Sequence, residues 1–431
     1  MSNGSSLSHK QCNRRERTMT NDPHDSSIPR RRFLAGASAL GIAALAGSSG
    51  AQGADPNVVQ LPFVNGSRPL TSAFPQKSDM ILQRTRPPLL ETPFDVFDQA
   101  VLTPSDRFYV RWHLANIPTS IDPATFKLAI HGHVNKTVSL TLDEIAHNFE
   151  RFEIVAVNQC SGNSRGFFSP RVAGGEWANG AMGNARWTGV RLKDLLEYAG
   201  VRAKALAVRF SGLETGVIPA TPDFKKSLAI DHALDGEVMV AYLMNDEPLP
   251  LLNGYPIRLV VPGWYATYWV KMLKDIEVLD APDDNFWTAK AYLIPDTPLA
   301  NVRPGETGFK LVPINGMLPR SFITNIRDGA TIPRGQPTLV RGIAFGGLHG
   351  LQKVLISDDH GQSWSETKLG EDYGKYSFRQ WEKTLNFPAS GAGVVMVRAV
   401  DTTGQMQPAA PNWNGSGFMR NVIESTNIQV S

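Results

Sequence analysis

One cysteine stands in a run of residues that could do chemistry. Cys160 lies in Val157-Asn158-Gln159-Cys160-Ser161-Gly162-Asn163-Ser164-Arg165-Gly166, a string of turn formers after the apolar run Ile154 to Val157. That order predicts a strand that ends at Cys160 and opens into a loop, a common place for a functional side chain. Arg165 follows five residues on and could set a cation beside the thiolate, favouring its charged form. The chain has only two cysteines, and the other, Cys12, lies far towards the N-terminus. From the residues alone two readings stand: a buried inert thiol, or a metal ligand or nucleophile.

A second group is Arg107-Phe108-Tyr109-Val110-Arg111-Trp112-His113. On a strand, Arg111 and His113 share one face, two positions apart. A guanidinium offers a rigid fork to an oxyanion, and an imidazole adds a donor whose charge depends on pH. An Arg-x-His on an exposed strand is also ordinary solvated surface. His131-Gly132-His133 likewise sets two imidazoles on one face. No third ligand is near in sequence, so a surface strand is the better reading there. The chain carries no phosphate-cradling glycine loop, no Gly-x-Ser-x-Gly elbow and no Cys-x-x-Cys.

The elements that must hold these residues are short. The chain has 431 residues, with 38 Gly and 30 Pro, a balance that favours strands and turns over a helical bundle. Arg30-Arg31-Arg32-Phe33-Leu34 precedes an uncharged Gly/Ala/Leu stretch, the pattern of a twin-arginine export signal. Residues 1–54 are therefore expected as a leader, and the protein is expected in the periplasm. The leader holds seven basic and three acidic residues of the 43 and 40 in the chain, so the remainder is almost neutral. Nothing in that charge favours nucleic acid. If Cys12 leaves with the leader, Cys160 is a lone thiol where pairs normally oxidise to disulfides. Residues 55–105, interrupted by Pro87-Pro88, Pro93 and Pro104, are expected to form an extended arm. Residues 106–304 mix short alternating runs with helix signals at Thr141 to Ile145 and Leu192 to Leu196, and a buried strand at Ile257 to Val261. Residues 305–431 are all β, with strand signals at Thr338 to Phe345, Lys353 to Ser357 and Val394 to Val400. The expected fold class is α+β: a mixed α+β catalytic domain, then an immunoglobulin-like β-sandwich.

Five segments together resemble the sulfite oxidase family of molybdenum enzymes. They are Arg111-Trp112-His113; Cys160 to Arg165; Gly180 to Val190; Met244-Asn245 with Asn253-Gly254-Tyr255-Pro256; and Val260-Val261-Pro262-Gly263 ahead of Val270-Lys271. They keep the family order, and the likeness runs from about residue 90 to the C-terminus. The resemblance implies a molybdenum pyranopterin dithiolene cofactor with Cys160 as the protein ligand to the metal. It implies that Arg111 and Arg165 hold a sulfite dianion, and that His113 lies near both cofactor and substrate. Tyr292, in Lys290-Ala291-Tyr292-Leu293, resembles the tyrosine that reaches the reacting side of the metal. Trp177 is expected on the pocket wall, Arg379 as a cation behind it, and Lys271 against the cofactor phosphate. The C-terminal region resembles the family's dimerisation domain, which implies a possible homodimer.

Departures narrow the resemblance. Ser164 stands where animal and plant members carry a first arginine, and Ala266-Thr267-Tyr268 where they carry Gly-x-Arg. Trp112 replaces a common asparagine. These variants look like the bacterial sulfite dehydrogenase branch, the catalytic subunit of a sulfite:cytochrome c oxidoreductase. No Cys-x-x-Cys-His occurs, so no covalent haem is expected in this chain and a separate c-type cytochrome is expected to take the electrons. A sulfane dehydrogenase or a sulfoxide reductase on the same fold is the nearest alternative. A secreted, non-catalytic binding protein is the alternative from another class.

Overall fold

The computed structural model describes residues 55–431; the expected leader lies outside the described residues. The segment 55–105 departs from expectation. Instead of a bare arm it forms strands Val58–Gln60, Ser67–Thr71, Met80–Arg84 and Leu89–Glu91, each antiparallel to the next. The last of them pairs with Val110–Arg111, setting Leu89 opposite Arg111. These strands are too short, and too broken by proline and turns, to show an alternating pattern in sequence. What fixes them is burial of Met80 and Leu90 with Val110, Trp112, Leu252 and Met272.

Two sheets build the middle of the chain. In the first, strands Lys225–Ala229, Ala207–Gly212, Leu273–Leu279, Lys127–Gly132 and Val138–Thr141 lie in that spatial order. In the second, Glu247–Pro248, Met239–Met244, Met182–Arg191 and Arg151–Gln159 are antiparallel neighbours, and Arg258–Val260 joins the edge of Met239–Met244. Three short α-helices occur among the described residues, so the fold is more strongly β than the expected α+β mixture. Leu142–Asn148 starts where the sequence signalled it. The Thr141 hydroxyl accepts the Glu144 backbone N–H at 3.2 Å, and the Glu144 carboxylate accepts the Thr141 N–H at 2.8 Å, a reciprocal cap. Leu192–Ala199 buries Leu192, Leu195, Leu196 and Ala199 at helical spacing and stops at left-handed Gly200. The third is Ile230–Ala233.

The C-terminal part is a pair of sheets. One orders Arg320–Ile323, Pro337–Phe345, Arg379–Asn386 and Lys368–Leu369; the other orders Ala330–Ile332, Glu424–Val430, Gly391–Asp401, Leu351–Ser357 and Ser365–Glu366. Val340 and Trp381 from the first share one core with Ile356, Val397 and Ile428 from the second.

The C-terminal sheets also reach back to the cysteine loop. Arg320, 1% exposed, donates to the Ser164 hydroxyl at 3.0 Å and pairs with Glu424 at 2.7 Å. Removing one partner of a buried pair strands the other charge. Glu424→Ala is therefore expected to lower unfolding free energy by about 3 kcal/mol, read from urea melts. An effect below about 0.5 kcal/mol is what a solvated surface pair gives.

Candidate active site

Cys160 follows directly on strand Arg151–Gln159. Its backbone N–H donates to Ala181 at 2.9 Å, and its carbonyl accepts the Asn163 N–H at 2.9 Å, closing a tight turn. Asn163 Oδ1 takes the Ala181 N–H at 3.0 Å, so the loop is tied twice to the neighbouring segment. A side chain at Gly162 would collide with the Arg165 guanidinium, which explains glycine at that position. The thiol is buried.

A small cavity opens beside Cys160. Arg111, His113, Lys271 and Tyr292 line it together with Cys160. Strand pairing fixes Arg111 from one side. From the other, Lys271 Nζ donates to the Arg111 carbonyl at 2.9 Å, its ammonium 4.4 Å from the Trp112 ring centre. His113 stacks on Phe224, centroids 3.6 Å apart, and its Nε2 is 2.6 Å from the Tyr292 hydroxyl. The Tyr292 ring in turn stacks on Phe418 at 5.1 Å.

Burial and crowded cations set the electrostatics. Burial holds His113 well below the usual imidazole range, and Arg111, Lys271 and Lys226 add to the effect, so its ring is neutral. Burial pulls Lys271 down to about 7, against the pull of Glu214, and pulls Lys226 down to about 7. It pushes the Tyr292 phenol up. Arg258, buried in the strand Arg258–Val260, is brought down to about 10 by the same cause.

Three expected positions fall elsewhere. Arg165 is not in the cavity lining. Its Nε donates to the Gly417 carbonyl at 3.0 Å and its guanidinium faces the Phe418 ring at 5.3 Å, so it backs the wall. Trp177 does not line the cavity either; its ring is 1% exposed and lies beneath Gly175 in the core with Leu89. Arg379 is not a cation behind the pocket. It lies at the end of a C-terminal strand, donates to the Gly370 carbonyl at 3.0 Å and pairs with Asp372 at 3.1 Å. The carboxylate and carbonyl of its own neighbouring segment satisfy it.

Sequence reasoning missed Tyr109, Asn158, Phe224, Asn253, Arg258, Thr267 and Trp269, all in the lining. Arg258 carried a signal, a charge between Ile257 and Leu259 in an otherwise apolar run. Asn253 is placed by a residue with no sequence signal. Lys77 Nζ donates to its Oδ1 at 2.6 Å, and to the Ser105 and Phe108 carbonyls at 2.7 and 2.9 Å. Lys77→Met leaves three acceptors without a donor, and is expected to destabilise by about 3 kcal/mol in a urea melt. The pair His131 and His133 diverges in its partners. His131 Nε2 meets Asp275 at 2.7 Å, Arg209 neutralises the adjacent Glu277, and His133 Nε2 meets the Ala203 carbonyl at 2.8 Å.

The cavity has unspent polar capacity. Arg111 Nη1, His113 Nδ1, Asn158 Nδ2, Arg258 Nε and Thr267 Oγ1 are buried without a hydrogen-bond partner. Buried polar atoms are rarely left so, and here they cluster around one soft sulfur. Most are donors. A group rich in acceptors and negative charge, with a thiophilic centre, fits them. Cys160 could ligate such a centre, while Arg111, Asn158, Arg258 and Lys271 could hold its polar body.

Comparison with known proteins agrees. Residues 113–287 match the family profile described as the oxidoreductase molybdopterin binding domain, and residues 312–431 that of the Mo-co oxidoreductase dimerisation domain. Mitochondrial sulfite oxidase of Rattus norvegicus is 32% identical over 388 residues, covering 84% of this chain and 69% of its own. Sulfite oxidase of Gallus gallus is 30% identical over 362 residues, covering 80% and 77%. The crystal structure of the sulfane dehydrogenase SoxCD from Paracoccus pantotrophus shares the fold, with a TM-score of 0.67 over 83% of this chain and 87% of that one, at 22% identity.

Proposed function

Since the chain belongs to the sulfite oxidase family, with molybdenum and molybdopterin as its cofactor, we propose that it oxidises sulfite to sulfate and passes the electrons to a c-type cytochrome. The observation that carries this reading is the set of unpaired buried donors around Cys160, with Arg111, Lys271 and Arg258 in the wall and Arg165 behind it. So many cations in one small cavity suit a dianion. Sulfite takes up oxygen derived from water and releases two protons and two electrons. Cys160 would hold the molybdenum group by its thiolate, and the group, when bound, would supply the oxygen-transfer and electron-accepting chemistry. Arg111 binds and orients the anion and offsets its repulsion. Tyr292 and the neutral His113 form the polar edge of the cavity and carry its exchangeable hydrogen.

The leader pattern Arg30-Arg31 supports export by the twin-arginine route to the periplasm. Retention in the cytoplasm after Arg30→Lys with Arg31→Lys tests it. The C-terminal pair of sheets is read as an immunoglobulin-like sandwich, and the match of residues 312–431 to the Mo-co oxidoreductase dimerisation domain supports a homodimer.

The deciding experiment is a steady-state assay of the exported protein with sulfite and oxidised cytochrome c, alongside metal analysis. One molybdenum per chain with sulfite-dependent reduction supports the proposal. Molybdenum without sulfite turnover replaces sulfite by a sulfane or sulfoxide substrate. A matured chain without molybdenum leaves a secreted binding protein.

A further inference from the structure

We propose that Glu214 is a positioning residue that fixes His113 as the Nδ1–H tautomer, so that Tyr292 donates its hydroxyl hydrogen to Nε2. The inference rests on the proposed function only in treating this cavity as the reaction site. Glu214 is 3% exposed and belongs to no regular element. Its Oε2 accepts the backbone N–H groups of His113 at 3.1 Å and Leu114 at 2.8 Å. Two donors on one oxygen hold the carboxylate in place. Its Oε1 then stands 3.9 Å from His113 Nδ1, which has no hydrogen-bond partner.

That separation is too long for a hydrogen bond, yet in a site this buried it decides which nitrogen is protonated. An N–H dipole pointing at a carboxylate is attracted, and a lone pair pointing at it is repelled. With the hydrogen on Nδ1, Nε2 can only accept, and the hydroxyl 2.6 Å away must donate. The ring cannot turn over to evade this, because it is stacked on Phe224 at 15° and edged by Trp287 at 5.2 Å. The other charged groups facing the imidazole are Arg111, Lys271 and Lys226. All three are cationic when charged, so they oppose a second proton on the ring. Among the described residues, Glu214 is the one acid paired with the ring.

The phenol oxygen therefore turns its lone pairs, not its hydrogen, to the cavity. A proton released there first meets the Tyr292 oxygen, whose own hydrogen is held by Nε2.

The test uses the full molybdenum-loaded chain with 15N-labelled histidine and a long-range proton–nitrogen correlation spectrum, with His113 assigned by its loss in His113→Gln. Wild type is expected to show a protonated Nδ1 and a bare Nε2. In Glu214→Gln the amide carbonyl keeps the two backbone bonds and the amide NH2 turns to Nδ1. The tautomer should invert, and kcat should fall about tenfold with KM within about twofold. Hydrogen on Nε2 in wild type overturns the proposal, as does an unchanged tautomer in Glu214→Gln. The wild-type spectrum decides even where the variant does not fold. The expected tautomers in a protein inactive with sulfite uphold the proposal and remove sulfite as the substrate.

Discussion

Cys160→Ser is expected to leave the fold intact and to lower sulfite-dependent turnover by at least about a thousandfold. The smaller hydroxyl fits where the thiol stood, and the loop is held by its backbone: the Cys160 N–H on Ala181, the Cys160 carbonyl under Asn163, and Asn163 on the Ala181 N–H. None of these bonds uses the thiol. What the change removes is a soft, polarisable donor, replaced by a hydroxyl that stays protonated at neutral pH. Circular dichroism, metal content and cytochrome reduction on the same sample separate the outcomes. A serine variant that turns over at the wild-type rate removes Cys160 as the metal ligand.

Arg111→Ala is expected to raise KM for sulfite about a hundredfold, equivalent to about 2.7 kcal/mol, with a smaller change in kcat. Arg111 lines the cavity with Nη1 unpaired, so it has a donor ready for an anion and nothing to lose by giving it. Arg165→Ala is expected to behave differently. Its Nε is already committed to the Gly417 carbonyl and its guanidinium packs on Phe418. Its loss should raise KM only about tenfold through weakened field, and should lower stability by about 2 kcal/mol through the unpaired carbonyl and lost packing. Equal KM effects in the two variants overturn this division of labour.

The sequence made the centre of the site legible and left its periphery dark. Cys160, Arg111 and His113 were visible because chemistry-bearing types stood in short, recognisable segments, and Lys271 and Tyr292 through resemblance; all five meet at one cavity. Arg165 was a candidate by nearness in sequence, yet its guanidinium goes to the Gly417 and Gly175 carbonyls and the Phe418 ring. Trp177 and Arg379 came from resemblance alone, and neither reaches the lining. Glu214, in Ser211-Gly212-Leu213-Glu214-Thr215-Gly216, looks like any loop acid; only tertiary placement buries it under the His113 backbone. The helices at Leu142 and Leu192 were legible because capping and spacing are local. The sheet within 55–105 was not, since its strands of three to five residues depend on partners distant in sequence.

The C-terminal sheets are more than a platform attached to a catalytic half. Arg165 ends on Gly417, the Tyr292 ring lies on Phe418, and Ser164 receives Arg320. Each contact joins a residue of the middle region to one after position 305. Recombination between diverged relatives at that boundary would part these contacts. The two halves must then be inherited and diversified together, so that a change at Ser164 restricts which residues lineages can explore at Arg320.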